Sequence, residues 1–505
     1  MQKSVVIGSG FGGLASAVRL LNKGYEVTLL EAREQLGGRA GVFKQDGFTF
    51  DAGPTVITAP YLLDELFTML GENPRDYFQL TPIDPFYRIQ FHDGSSFDYV
   101  ADSERLIENI RALSPKDVDG YRKLAQHAER IFDVGYTGLA DYPFETVGSM
   151  LRVAPDMIRL KNYRSVYSLV SSYIKDERLR QALSFEPLLV GGNPTKITSI
   201  YLLIHWLERK WGVHFIKGGT TALVGAFERL LIKKGVHIIK NAPVERIEVE
   251  SGHVSRVFTA DGKSYKADVV VSNADPVRVY RDMIAPEHRS KHANWRLKMN
   301  SHSMSLFVAY FGTKKTYEHL AHHTILLGPR YQGLLTDIFD RKVLSDDFSL
   351  YLHAPTRTDA SMAPAGHECF YVLSPVPNSL SGINWREEGE RYKEKIFNCL
   401  DQKHLPGLNA NLVSQTFVTP DYFENTLRSE RGAAFGIEPS FRQSAYFRFH
   451  NRSEDVDGLY FVGANTHPGA GVPGVLSSAK VLDRVLPSAQ VNRSAQASRA
   501  RELEL

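Results

Sequence analysis

The sequence is poor in cysteine. Its 505 residues hold two, Cys369 and Cys399, which form no CxxC pair and no metal-ligand cluster, so no metal site is expected. Two unpaired thiols fit a reducing compartment. Charge of one sign is also lacking: 60 basic against 57 acidic residues leave a formal charge of +3, which argues against nucleic acid as a main partner. A balance this close still leaves room for a local basic patch on anionic lipid. No apolar run is long enough to span a bilayer, and no secretory signal precedes the apolar run Ser4–Ile7, so any membrane contact is expected at the surface. No fixed-period repeat is present.

What is there reads as an ordinary globular chain, too long for one hydrophobic core, so at least two domains are expected. The opening reads strand, glycine-rich turn, helix, strand. Leu14, Ala17, Val18 and Leu21 fall on one helical face, Gly24 ends that helix, and Tyr25 to Leu30 reads as the next strand. From about 100 to 208 the pattern is mostly helical. Alpha/beta character returns from 212 to 275, with a helix over Ala222 to Leu231, short strands after it and a hairpin turn at Asp261-Gly262. Strands are also expected at Ser305 to Phe311 and Phe370 to Leu373. Leu459 to Val462 reads as a strand, followed by a glycine-rich turn and a helix to about Leu486. Residues 488–505 carry no apolar periodicity and read as a disordered tail.

Gly8-Ser9-Gly10-Phe11-Gly12-Gly13 matches the dinucleotide fingerprint in its required context, after a strand and opening a helix. Gly8 permits the turn, Gly10 lets a pyrophosphate approach the backbone, and Gly13 lets helix and strand pack closely. The free N–H groups of the helix start face the phosphates. Glu31 ends the second strand, eighteen residues after Gly13, where an acidic side chain accepts the ribose hydroxyls and disfavours a 2′-phosphate. Gly37-Gly38-Arg39 offers a planar guanidinium to the phosphates or the cofactor ring, and Gly53-Pro54 is expected in a turn beside it. Ala32, after Glu31, and Val244, opening its strand, complete the cofactor-contacting set at this end. Gly463 to Gly474 lies between a strand and a helix, and Gly463, Gly471, Val472 and Pro473 are expected against the cofactor. His467 is the one titratable residue in that turn, and it reads equally as a catalytic group or as a structural cap.

The stretch 150–205 mixes Arg152, Arg159, Lys161 and Arg164 with Met150, Leu151, Val153, Met157, Ile158, Leu160 and Tyr163. It reads either as a surface-bound helix on lipid or as an ordinary amphipathic core helix. Arg152 is a second catalytic candidate, set against a snorkelling arginine on a solvated face.

These motifs resemble the bacterial and fungal carotenoid desaturases, the phytoene desaturases. The resemblance runs from Val5 to about Leu486 and is most specific at Gly463 to Gly474. Phe48 to Thr55, Leu188 to Pro194, Trp211-Gly212-Val213 and Lys217 to Thr220 are also similar to family stretches. Asn465 departs from the family, which more often has a small residue there. The resemblance implies a discontinuous Rossmann-type FAD-binding domain in an alpha/beta fold, formed by 1–75, 210–295 and 450–487. It implies a mixed substrate and membrane-associating domain from 76–209 and 296–449, with a helical membrane-associating region. FAD is then the redox cofactor, and phytoene, desaturated stepwise to neurosporene or lycopene, is the substrate. Oxygen or a quinone is the electron acceptor, and the site of work is the cytoplasmic face of the cell membrane. Rival readings are a C30 desaturase, a ketolase, an amine oxidase, or a flavin-free prenyl-binding protein like the GDP-dissociation inhibitors.

Overall fold

The computed structural model describes residues 1–489. Of the expected tail, residues 490–505 lie outside the described residues, and Ala489 is tied down, its N–H donating to the Lys23 carbonyl at 2.9 Å. Five short strands form one parallel sheet in the order Leu459–Phe461, Val269–Ser272, Lys3–Ile7, Glu26–Leu30, His237–Ile239. Val5, Val6, Leu29, Val270 and Val271 are buried, as suits strands covered on both faces. On one face lie the helices Phe11–Asn22, Thr220–Lys233 and Val472–Val485, which bring Leu14, Val18, Phe227, Leu230, Leu476 and Leu482 against Val6 and Leu29. On the other, the antiparallel strands Val244–Glu250, His253–Thr259 and Ser264–Lys266 bring Ile247, Val254 and Val257 against Val5, Leu30 and Val270. The strand at 237–239 is one of the short strands expected after that helix, and the helix at 220–233 extends the expected one at both ends.

The second sheet has seven strands, in the order 412–418, 305–313, 368–376, 350–353, 323–326, 87–90, 96–99, antiparallel except for the pair 323–326 and 87–90. Strand Ser305–Thr313 shows how its two faces divide. Phe307, Ala309 and Phe311 pack under the helix Trp385–Lys403 with Ile396, Phe397 and Leu400. Leu306, Val308 and Tyr310 point the other way, toward the helical region 103–211. Asn384 caps the 385–403 helix through its side-chain oxygen, which accepts from the Arg386 N–H at 3.3 Å. Cys369 and Cys399 are both free thiols, Cys369 buried in strand 368–376.

Most of 150–205 is not a lipid-facing surface. Val166, Leu169, Val170, Ile174, Leu179, Leu183, Ile197 and Leu202 are core residues. The exposed apolar positions fall on and just after the helix Val147–Arg159, with Leu151 69%, Ile158 68% and Tyr163 71% exposed. Among the described residues no helix is long and apolar enough to cross a membrane.

Candidate functional site

The glycine loop is built by close approach. A Cβ at Gly13 would stand 1.9 Å from the Gly8 carbonyl oxygen, so the helix can lie against the first strand only with glycine there. Gly10 caps that helix without a side-chain acceptor, which leaves its first N–H groups free. Glu31 is buried at the end of the second strand. One of its oxygens accepts from the Ser9 N–H and hydroxyl, and the other accepts from the Arg33 N–H at 3.0 Å. Ala32 beside it is exposed, and Val244 packs with Val5, Ile7 and Leu30 on the same side of the sheet.

One cavity of about 490 Å³ runs from this loop into the space between the two sheets. Gly10, Gly37, Gly38, Arg39, Gly53, Pro54, Gly471, Val472 and Pro473 all lie in its wall. Gly53 is there by necessity, because a Cβ would meet the Arg39 carbonyl oxygen at 1.8 Å. Beyond them the wall turns apolar, with Leu188, Leu189, Leu306, Val308, Ile325 and Leu327. The C-terminal turn is held from behind by Arg448. Its buried guanidinium donates to the carbonyls of Thr466, Gln443 and Ala464 at 3.1, 3.0 and 2.5 Å. Asn465 accepts the Ile437 N–H at 2.6 Å and occupies the space a side chain at position 436 would need, so Gly436 accommodates the larger residue.

Two expected residues are elsewhere. His467 is not in the cavity wall: its Nε2 donates to the Leu139 carbonyl at 2.9 Å, its ring lies edge-on to Phe144, and burial pulls it down to about 4. Arg152 is exposed on the 147–159 helix, 3.4 Å from the Tyr142 hydroxyl, and also lies outside the wall.

The cavity has polar groups that the motifs did not mark. Asp51 Oδ1 accepts from Thr220, while its Oδ2 meets no partner and burial raises it to about 6. Glu208 accepts from the Tyr87 hydroxyl at 2.6 Å and leaves Oε2 unpartnered. Glu186, which is not itself in the wall, lies 3.2 Å from His205 Nδ1, and burial drives both glutamates well up. Asn273 and Asp275 follow the buried strand 269–272 and reach the wall from the strand end, the usual place for ligand contacts in such sheets.

Residues 11–481 match the family described as flavin containing amine oxidoreductase. The chain is 48% identical over 481 residues to a lycopene-forming phytoene desaturase of Pseudescherichia vulneris, covering 95% of this chain and 98% of that one. It is 40% identical over 495 residues to a neurosporene-forming phytoene desaturase of Rhodobacter capsulatus, covering 97% and 94%. This chain belongs to the phytoene desaturase family of flavin-containing oxidoreductases. Among solved structures, an oxidoreductase from Methanosarcina mazei shares its fold, with a TM-score of 0.65 at 17% identity over 96% of this chain and 100% of that one.

The residues of this desaturase fit a flavin dinucleotide. Arg39 is half-buried in the wall with its Nε enclosed and unpartnered, a donor waiting for an anionic oxygen. Both helices that open at the cavity, after Gly10 and Gly471, have no side-chain cap. Their free N–H groups suit the pyrophosphate at one end and a negatively charged ring at the other.

Proposed function

We propose that the protein is an FAD-dependent phytoene desaturase that carries 15-cis-phytoene by successive desaturations through phytofluene, zeta-carotene and neurosporene to all-trans-lycopene. The observation that carries the reading is the single cavity that joins the dinucleotide loop to a long apolar wall. A polyisoprene has no polar group to anchor, so it must be held by area alone.

Bound FAD supplies the acceptor for a hydride taken from an allylic carbon. Phytoene has no carbonyl to acidify its C–H bonds, so hydride loss precedes proton loss, and the resulting cation is spread over the neighbouring double bonds. The chain's own part is to place the substrate and to keep bulk water from that cation. Leu306, Val308, Ile325 and Leu327 provide a dry wall, and Gly37 to Ala40 with Gly471 to Pro473 set where the reacting carbon stops.

The substrate enters from a membrane surface in this reading, on the cytoplasmic face, and a membrane quinone or oxygen takes the electrons. Leu151, Ile158, Tyr163, Phe441 and Phe447 form the supporting feature: large exposed apolar side chains on neighbouring segments, flanked by Arg152, Arg159 and Arg442. The nucleotide domain is then 1–75, 210–295 and 450–487, with 76–209 and 296–449 serving the substrate and the membrane.

The test adds FAD-loaded protein to phytoene in liposomes and records the visible spectrum of the extract. A multi-peaked red polyene supports the reading, and chromatography counts the double bonds. A colourless extract from protein with bound flavin rejects phytoene.

A further inference from the structure

Behind the apolar wall runs a string of polar groups that the function above leaves unused. It starts at the cavity, where Tyr371 and Tyr351 are in the wall. The Tyr371 hydroxyl lies 2.7 Å from Thr55 Oγ1, Thr55 Oγ1 lies 2.9 Å from the Tyr351 hydroxyl, and that hydroxyl lies 2.6 Å from His323 Nδ1. His323 faces His353 across adjacent strands of the seven-stranded sheet, with His322 next in chain. His353 Nε2 and His322 Nε2 are 3.0 Å apart, and His322 Nδ1 is 2.7 Å from the hydroxyl of Thr358, which is half-buried. The string has one gap. His323 Nε2 meets no partner, yet its ring centroid lies 4.5 Å from that of His322, and one nitrogen of each ring lies within 4.8 Å of one from each of the others. One water molecule or one ring rotation spans it.

Three histidines in the core, 5%, 0% and 1% exposed, are costly to bury, a cost that the hydrogen bonds of the string offset in part. Each desaturation releases a proton inside a dry cavity, and that proton needs a way out. We propose that Tyr351, His323, His353, His322 and Thr358 form the proton exit of this desaturase, a reading that rests on the phytoene desaturase function above. The C–H bond beside the cationic carbon breaks, and its electron pair becomes the new double bond. The proton passes to the Tyr351 oxygen as Tyr351 gives its own to His323 Nδ1. It then crosses through the His353–His322 pair to Thr358 and solvent. Tyr351 touches the cavity and is the catalytic residue, whereas the histidines act through it.

Burial pulls all three imidazoles below their usual range, so they are weak bases. A weak base suffices, because a C–H bond next to a carbocation is far more acidic than an imidazolium, and a weak base also passes the proton on. Among the described residues the three rings meet no carboxylate that raises them, so a divalent cation among them would be buried without counter-charge from these.

The experiment uses FAD-loaded enzyme on phytoene in liposomes, with Tyr351→Phe, His353→Gln, the double variant, and His322→Asn at the solvent end. Each single variant is expected to keep its flavin and its KM while turnover falls by about tenfold or more and its solvent deuterium isotope effect rises. The double variant should be no slower than the slower single one, since both cut one path. His322→Asn gives the same reading if the others do not fold. Wild-type turnover in the folded variants, or losses that multiply, would overturn the relay alone. So would a stoichiometric metal that departs with His353, which makes the cluster a metal site. A wild-type enzyme that leaves phytoene colourless overturns the function and the relay together.

Discussion

Asp51 Oδ1 accepts two hydrogen bonds from Thr220, one from its backbone N–H and one from its hydroxyl, each 2.8 Å long. The pair fastens the strand Phe48–Asp51, whose Asp51 is in the cavity wall, to the first turn of the helix Thr220–Lys233, a segment far away in sequence.

That bond does not fully offset the burial of the carboxyl, which rises from its ordinary 3.8 to about 6. The folded protein therefore holds this proton to higher pH than the unfolded chain does. Stability from Asp51 is fully present below pH 3.8 and is lost as pH rises through about 6. Asp51→Asn keeps an acceptor for Thr220 and should be more stable than the parent at pH 8, by up to about 3 kcal/mol, with no gain at pH 3.5. Urea melts at the two pH values measure it, and an equal gain at both would place the effect outside this titration.

Glu31 should set cofactor affinity. Glu31→Ala removes the acceptor for Ser9 and for a ribose, and FAD affinity is expected to fall by about tenfold or more, the worth of one charged hydrogen bond. A flavin titration reads it directly. Unchanged affinity removes Glu31 from the ribose role.

Leu151→Asp with Ile158→Asp should uncouple the enzyme from vesicles. Each side chain that leaves an apolar layer costs about 1.5–3 kcal/mol, so with both changed binding to anionic liposomes should drop by about a hundredfold or more. Flavin content should stay as it was. Co-sedimentation that does not change would take the 147–159 helix off the membrane.

His467→Phe should cost stability and leave the chemistry alone. The lost bond to the Leu139 carbonyl is worth about 1–3 kcal/mol in a buried setting. Because the ring already titrates at about 4, the pH profile of kcat from 5.5 to 8 should keep its shape. A limb that disappears with the imidazole would return His467 to the reacting groups.

The nucleotide end was legible because its signals are local. Gly8 to Gly13, Glu31 and Gly37 to Arg39 each announce themselves within a few residues of a strand end, and the structure puts most of them at or beside the cavity wall. The catalytic candidates lie outside the cavity wall for a related reason. His467 and Arg152 were marked by neighbours in sequence, whereas the cavity is made by residues far apart along the chain. His323 and His353 come together only through the pairing of two strands, and Glu186 meets His205 only across a bend in the helical region. A register between distant strands leaves no period to read. The apolar face at 150–205 was ambiguous for the opposite reason: core and lipid both select leucine and isoleucine, and only packing tells Leu169 from Leu151.

The parallel sheet that carries the glycine loop joins residue 3 to residue 461, with strand 459–461 paired on strand 269–272. On the ribosome, the loop emerges early but its sheet lacks an edge until residue 461 has been made. At about 5–20 residues per second, that is a wait of roughly half a minute to a minute and a half. A chain cut short before residue 459 has the fingerprint but lacks the strand that closes one edge of its sheet.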